Sequence, residues 1–210
     1  MDDDAIRRQV EAVAAGRNSR RSFIRTMVAA GLTLPMAGTL LLNAGVASAA
    51  TRDYRPKKRG GGGMLKLLMW QGPTLLNPHF AIGTKDVYGA RLFYQSLAEW
   101  DIDGNLIPIL AAELPTRQNG GLAPDGLSVV WNLRSDVKWH DGTPFSADDV
   151  VFNQEYAADP AAATVTIGVY EKLRVEKLGP HKVRLRFAQP TPYWAEAFVG
   201  TRGLMIPRHL

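Results

Sequence analysis

The sequence predicts an α/β or α+β fold with a mixed sheet, and three observations predict it. Segments of strand periodicity and segments of helical periodicity alternate along residues 64–210. Several of the strand-like segments return through hairpin-like turns, which brings antiparallel pairs into the sheet. Hydrophobic residues make up 46% and aromatic residues 9% of the 210 positions, enough for a packed core. No internal repeat is present.

Residues 1–49 read as an export signal. Ser19-Arg20-Arg21-Ser22-Phe23-Ile24-Arg25 precedes an apolar stretch from about Met27 to Val46, which ends in Ala47-Ser48-Ala49. A basic region, an apolar region and a small-x-small site form the secretory pattern, with cleavage expected after Ala49. The pair Arg20-Arg21 within S-R-R-x-F-I-R is the twin-arginine form, which implies the twin-arginine export machinery as a partner and a bacterial source. The same stretch is about long enough to stay as a membrane anchor. Its glycines and threonines and the placement of the small-x-small site favour cleavage, and either way the body is expected outside the cytoplasm, in the periplasm.

Residues 50–63 carry Pro56, a basic run and four consecutive glycines, with no apolar periodicity, so they read as a disordered linker. The glycines are no phosphate loop, because no strand precedes them and no Lys-Ser/Thr pair follows.

The body, residues 64–210, reads element by element. Met64 to Trp70 is a short apolar run closed by Gly72-Pro73, predicting a buried first strand. Leu75 to Phe80 is a loop, since Asn77 before Pro78 is steered away from the helical region. Thr84 to Tyr94 has helical spacing, with Thr84 as N-cap and Asp86 in the first turn. Ser96 to Trp100 is a brief strand, Asp101 to Asn105 a turn, and Pro108 to Glu113 one helical turn.

After a loop over 119–126, Ser128 to Leu133 alternates as a strand does. Trp139 to Pro144 is a tight turn, and Ser146 starts a helix with Asp149 in capping-box position, ending at Asp159-Pro160. Lys172–Lys177 and Lys182–Phe187 form a hairpin joined at Gly179-Pro180. Thr191-Pro192 opens a short helix through Tyr193, Trp194 and Phe198. Gly203 to Pro207 begins a strand close to the last residue, so the chain is expected to be the N-terminal part of a longer protein.

Charge and composition exclude several functions. The formal charge of +5 comes from the first 59 residues; from Gly60 onward 14 Lys and Arg face 15 Asp and Glu, which offers no basic surface for nucleic acid. The absence of cysteine removes disulfides, thiolate metal sites, a Cys nucleophile and an N-terminal lipid-bearing Cys. There is no G-x-S-x-G, H-E-x-x-H or dinucleotide fingerprint, and histidines 79, 140, 181 and 209 do not assemble a site by spacing. His140-Asp141 reads as turn chemistry, because adjacent residues on a turn point apart. No catalytic residue, no metal site and no cofactor is expected.

DGLSVVWNLRSDVKWHDGTPFSADDVVFN, residues 125–153, resembles the signature block of the extracellular solute-binding proteins of family 5, the oligopeptide, dipeptide and nickel receptors. Leu76-Asn77-Pro78-His79-Phe80, LFYQSLAEWDIDGNLIP (92–108), Ala111-Ala112-Glu113, Phe187-x-x-Pro-Thr-Pro and Ile206-Pro-Arg-His-Leu agree with it. The resemblance spans about Met64 to Leu210. It implies a class II-like periplasmic binding protein, of which this chain would hold the first lobe with its α+β subdomain, the second lobe lying beyond it. It further implies a non-enzymatic receptor that closes on a peptide or similar solute and presents it to the permease subunits of an ABC importer. A nickel chelate or another small solute is the alternative cargo, and a secreted hydrolase the alternative class. A chain lacking the second lobe is expected to bind with reduced affinity.

The resemblance points the loop after the first strand at the cleft, which makes Asn77, His79 and Phe80 candidate ligand contacts. A turn cap at Asn77 and a core role for Phe80 remain the competing readings. Arg202, flanked by Gly200 and Gly203, is a candidate for a ligand carboxylate, against the reading of an ordinary surface arginine. Tyr193 and Trp194 are candidates for an apolar wall, against simple inward packing.

Overall fold

Three short helices open the chain, and each begins at a side chain that satisfies its first free amides. Asp2 accepts from Ala5 N at 2.7 Å ahead of α1 (Asp3–Ala14), and Ser19 accepts from Ser22 N at 3.0 Å ahead of α2 (Arg20–Ala29). Thr33 accepts from Met36 N at 3.3 Å ahead of α3 (Leu34–Asn43). The computed structural model describes residues 2–46 and 62–210; the expected cleavage residues Ala47 and Ala49 and most of the linker lie outside them.

The apolar stretch that begins at Met27 is divided between α2 and α3 by a turn in which Gly31 takes a positive φ of 96°. Among the described residues no helix is long and apolar enough to cross a membrane. Val13, Phe23, Ile24, Met27, Ala37 and Leu41 bury one another in a small core of their own.

The main core is built on an antiparallel sheet in the order β3 (Ser128–Asn132), β5 (Lys182–Phe187), β4 (Leu173–Gly179). Alternation puts Val129, Trp131, Val183 and Leu185 on the covered face, where each is buried. The turn over 139–144 forms as expected: Asp141 Oδ1 accepts from Thr143 N at 2.9 Å, and Gly142 takes a positive φ of 90°. It delivers the chain to α5 (Ala147–Ala158). There Ser146 and Asp149 complete a capping box, and the helix packs against β4. A short helix, α6 (Ile167–Tyr170), then leads into β4.

A separate hairpin joins β1 (Ala98–Trp100) to β2 (Leu106–Pro108) through the expected turn, with Gly104 at φ 75°. Asp101 holds this turn by accepting from Asp103 N, Asn105 N and Asn105 Nδ2 at 2.7–2.9 Å. All named strands pair antiparallel. Parallel pairing enters through one bridge between Ala98 and Val199, which makes the pairing mixed.

Five local expectations are corrected. Residues 64–70 are not a buried strand: Met64, Leu65, Leu67, Leu68 and Trp70 are exposed, because an apolar run becomes a strand only beside an edge that pairs with it, and no described strand does. The helix after Gly83 is α4 (Thr84–Ala90), shorter than expected, and Gly83 rather than Thr84 takes the extended cap conformation. Ile109 to Glu113 is not a helical turn; the chain bends on either side of Ala111, which bridges Leu133 just past the end of β3. Residues 191–198 make turns rather than a helix: Thr191 Oγ1 accepts from Tyr193 N at 3.1 Å as a cap does, but the chain does not continue as a helix and Phe198 adopts a positive φ of 61°. The last segment has no strand partner among the described residues; after a 3-10 turn at Gly200–Gly203 its backbone is extended and hydrogen-bonds to side chains of α5.

Candidate ligand-binding site

The centre of the candidate site is a polar hub on α5. Asn153 is buried and uses every hydrogen-bonding position of its amide: Nδ2 donates to Asp149 O at 2.8 Å and Ile206 O at 2.7 Å, while Oδ1 accepts from Ile206 N at 2.9 Å. The same Oδ1 lies 3.1 Å from His79 Nε2. Because Oδ1 can only accept, Nε2 carries the hydrogen, and Nδ1 is left to accept from the Thr166 hydroxyl at 2.9 Å. His79 is 1% exposed, and burial lowers its pKa from the ordinary imidazole value while the Asn153 bond works the other way. It is a neutral strut beneath the loop.

The loop itself is a 3-10 turn, Pro78–Phe80, capped by Asn77, whose Oδ1 accepts from His79 N at 3.0 Å. Asn77 Nδ2 donates to the Tyr156 hydroxyl at 3.1 Å, and the Phe80 ring meets Tyr156 edge-on with centroids 6.5 Å apart. Tyr156 stacks in turn on Phe152, centroids 5.9 Å apart. Asn77, Phe80, Phe152 and Tyr156 are all partly exposed, so they form an aromatic and amide face above the buried histidine. Such a face offers apolar ring surface with one amide to orient a polar ligand.

Below it, Tyr170 is buried beside His79, ring centroids 5.8 Å apart. Its hydroxyl donates to Arg202 O at 2.9 Å and accepts from Phe198 N at 3.3 Å, and burial pushes its pKa upward. Arg202 is therefore tied to the hub through its backbone, while its side chain is exposed. Gly203 is required here, since a Cβ would fall 2.0 Å from the Phe198 carbonyl carbon.

Arg202 and Tyr193 line one cleft of about 340 Å³ apart from the Asn77–Phe80 loop, its other wall being Pro35, Met36 and Thr39 of the N-terminal segment. Tyr193 also edges a larger cleft of about 550 Å³ with Lys172 and Phe187. Trp194 is buried, packing on Trp131 with centroids 5.9 Å apart. The structure thus gathers Asn77, His79 and Phe80 at α5 and places Tyr193 and Arg202 at a second position. Tyr156, Phe152 and Asn153 are expected from the sequence only as part of the helix and not as site residues. Their spacing at i, i+1 and i+4 on a capped helix was the available signal.

The turn keeps its expected role. Asp141 Oδ2 lies 2.6 Å from His209 Nε2, and the Thr143 amide together with His209 holds the Asp141 carboxyl down at about 2. Among the described residues no three His, Cys, Asp or Glu side chains group as a metal site.

With this geometry in place, comparison with known proteins is informative. Residues 105–207 match the family described as bacterial extracellular solute-binding proteins, family 5, middle region. The chain is 26% identical over 204 residues to the periplasmic oligopeptide-binding protein OppA of Escherichia coli strain K12, covering 88% of this chain and 35% of that one. It is 30% identical over 118 residues to the glutathione-binding protein GsiB of the same strain, covering 56% and 22%. Among solved structures, NikZ of Campylobacter jejuni in complex with Ni(L-His) superposes with a TM-score of 0.57 at 31% identity, covering 67% of this chain and 26% of that one. The chain thus spans about a third or less of the length of these relatives. Sequence block, α/β fold and relatives agree on this region: residues 105–207 are of the family 5 bacterial extracellular solute-binding protein type.

Proposed function

We propose that this chain is part of the solute receptor of an ABC importer, capturing peptides or similar elongated polar solutes in the periplasm and handing them to a membrane permease. The observation that supports it most is the face built from Asn77, Phe80 and Tyr156, pinned from below by His79 and Asn153. An amide beside aromatic rings suits a peptide backbone, whose polar groups need a partner while its side chains need only tolerant apolar contact. Arg202, exposed beside Tyr193 on a surface that residues 33–39 partly wall before cleavage, is the group suited to a solute carboxylate.

In the same reading, residues 1–49 direct export by the twin-arginine route through Arg20 and Arg21, with cleavage after Ala49. A membrane-anchored form would keep residues 1–49, so the mass of the mature protein distinguishes the two.

Titration calorimetry of the native gene product tests the cargo. Binding of short peptides, weakened by Asn77→Ala and by Tyr156→Ala, is the expected result. Binding of a nickel–histidine complex alone would replace the peptide assignment with the chelate reading, which the likeness to NikZ favours. Turnover of any peptide in the same samples would instead point to a hydrolase.

A further inference from the structure

Residues 2–46 do not stand clear of the body. Gly38 on α3 presses so closely on the β1–β2 turn that a Cβ there would lie 2.4 Å from the Gly104 carbonyl oxygen and 3.1 Å from the Trp100 ring. Asn43 clasps the other end: its Nδ2 donates to Pro192 O at 3.1 Å, and its Oδ1 accepts from Trp194 Nε1 at 3.0 Å. Leu42 packs on the main core. At the first of these points Arg20, the first residue of α2, also reaches the turn, donating through Nη2 to Gly104 O at 3.4 Å.

The arrangement is close-fitting but incompletely satisfied. Arg20 Nε and Nη1 are buried with no hydrogen-bond partner among the described residues. Burial lowers the guanidinium's pKa, and the nearby Asp101 charge offsets only part of that. Two buried, unanswered N–H groups on a half-buried cation oppose the docked state, so the contact is poised to open toward anything that offers them acceptors. Arg21 is exposed. Consecutive residues on a helix point about 100° apart, so one acceptor cannot hold both guanidiniums while Arg20 is turned into the body.

We propose that the folded body masks the paired-arginine segment: the turn over 101–105 covers Arg20, and an acidic acceptor engages both arginines only after residues 2–46 undock. This rests on the export reading of residues 1–49. It makes release from the body, rather than folding of the body, the step that admits the chain to its acceptor. The partner it fits is a carboxylate-bearing surface that supplies the hydrogen bonds Arg20 lacks.

Amide hydrogen exchange and export of the full chain together test this. Gly38→Leu introduces a side chain where none fits, and Asn43→Ala removes the clasp without adding bulk. Both are expected to speed exchange over 19–27 and 100–105 by about tenfold or more while 128–133 and 173–187 keep wild-type protection. Both are also expected to raise the rate at which the chain leaves the cytoplasm of a bacterial host. Unchanged exchange in Asn43→Ala, the milder variant, overturns the docking. Faster exchange without faster export overturns the masking. Export indifferent to Arg20→Lys with Arg21→Lys overturns the export reading and the masking with it, whatever the exchange shows.

Discussion

Residues 128–158 and residues 64–76 are both rich in apolar side chains, yet one stretch is closed and the other open. In the first, β3 pairs along its whole length with β5, the 139–144 turn is held by Asp141, and the capping box seals α5. In the second, Leu65, Leu68 and Trp70 face solvent and no described strand pairs with them. The first stretch carries its instructions locally, in caps, turn residues and alternation. The second depends on a distant edge, and hydrophobicity alone cannot supply one.

That contrast predicts a graded response to mutation. The largest effect belongs to Trp131, fully buried on β3 against Trp194; Trp131→Ala is expected to cost about 3–5 kcal/mol in a urea unfolding series. Asn153→Ala comes next, at about 2–3 kcal/mol, because it strands the amide and carbonyl of Ile206 and the ring of His79. Ser146→Ala, which breaks half of the capping box, is expected near 1 kcal/mol by the same assay. Leu68→Ser in the open stretch should change stability by no more than about 0.5 kcal/mol, and a larger loss would mean that the run is covered in solution.

The hub also has a pH signature. The pKa of His79 is lower in the folded state than its ordinary 6.5, so at falling pH the unfolded chain binds the proton first. Stability is therefore retained above about 6.5 and declines as pH drops below it toward the folded value. Denaturation followed from pH 7.5 to 5 should show that decline in the wild type and a flatter profile in His79→Gln. Asp141 acts at lower pH: its carboxyl, held at about 2 instead of 3.8, contributes stability above the higher value and loses it as pH falls through the lower.

The same division explains what could be read from residues alone. The hairpin β4–β5, the turn at Gly104 and the Ser146/Asp149 box all follow short-range rules, and all were legible. The helix expected from Thr191-Pro192 does not form: the Thr191 hydroxyl accepts from the Tyr193 amide as a cap would, but Phe198 turns left-handed against Gly203 and no run of helical bonds follows. At the candidate site the loop residues Asn77 and Phe80 could be picked out, while Asn153 could not. Its partner Ile206 lies 53 positions away, and a buried asparagine in a helix carries no mark of its long-range bonds.

Hydrogen exchange on Asn153→Ala tests the joining role of α5 most directly. Residues 77–81 and 204–209 are expected to lose protection together while the β3–β5–β4 sheet keeps its own. Loss at one segment alone, or at neither, would show that the loop and the C-terminal segment are held independently and that Asn153 does not organise the candidate site.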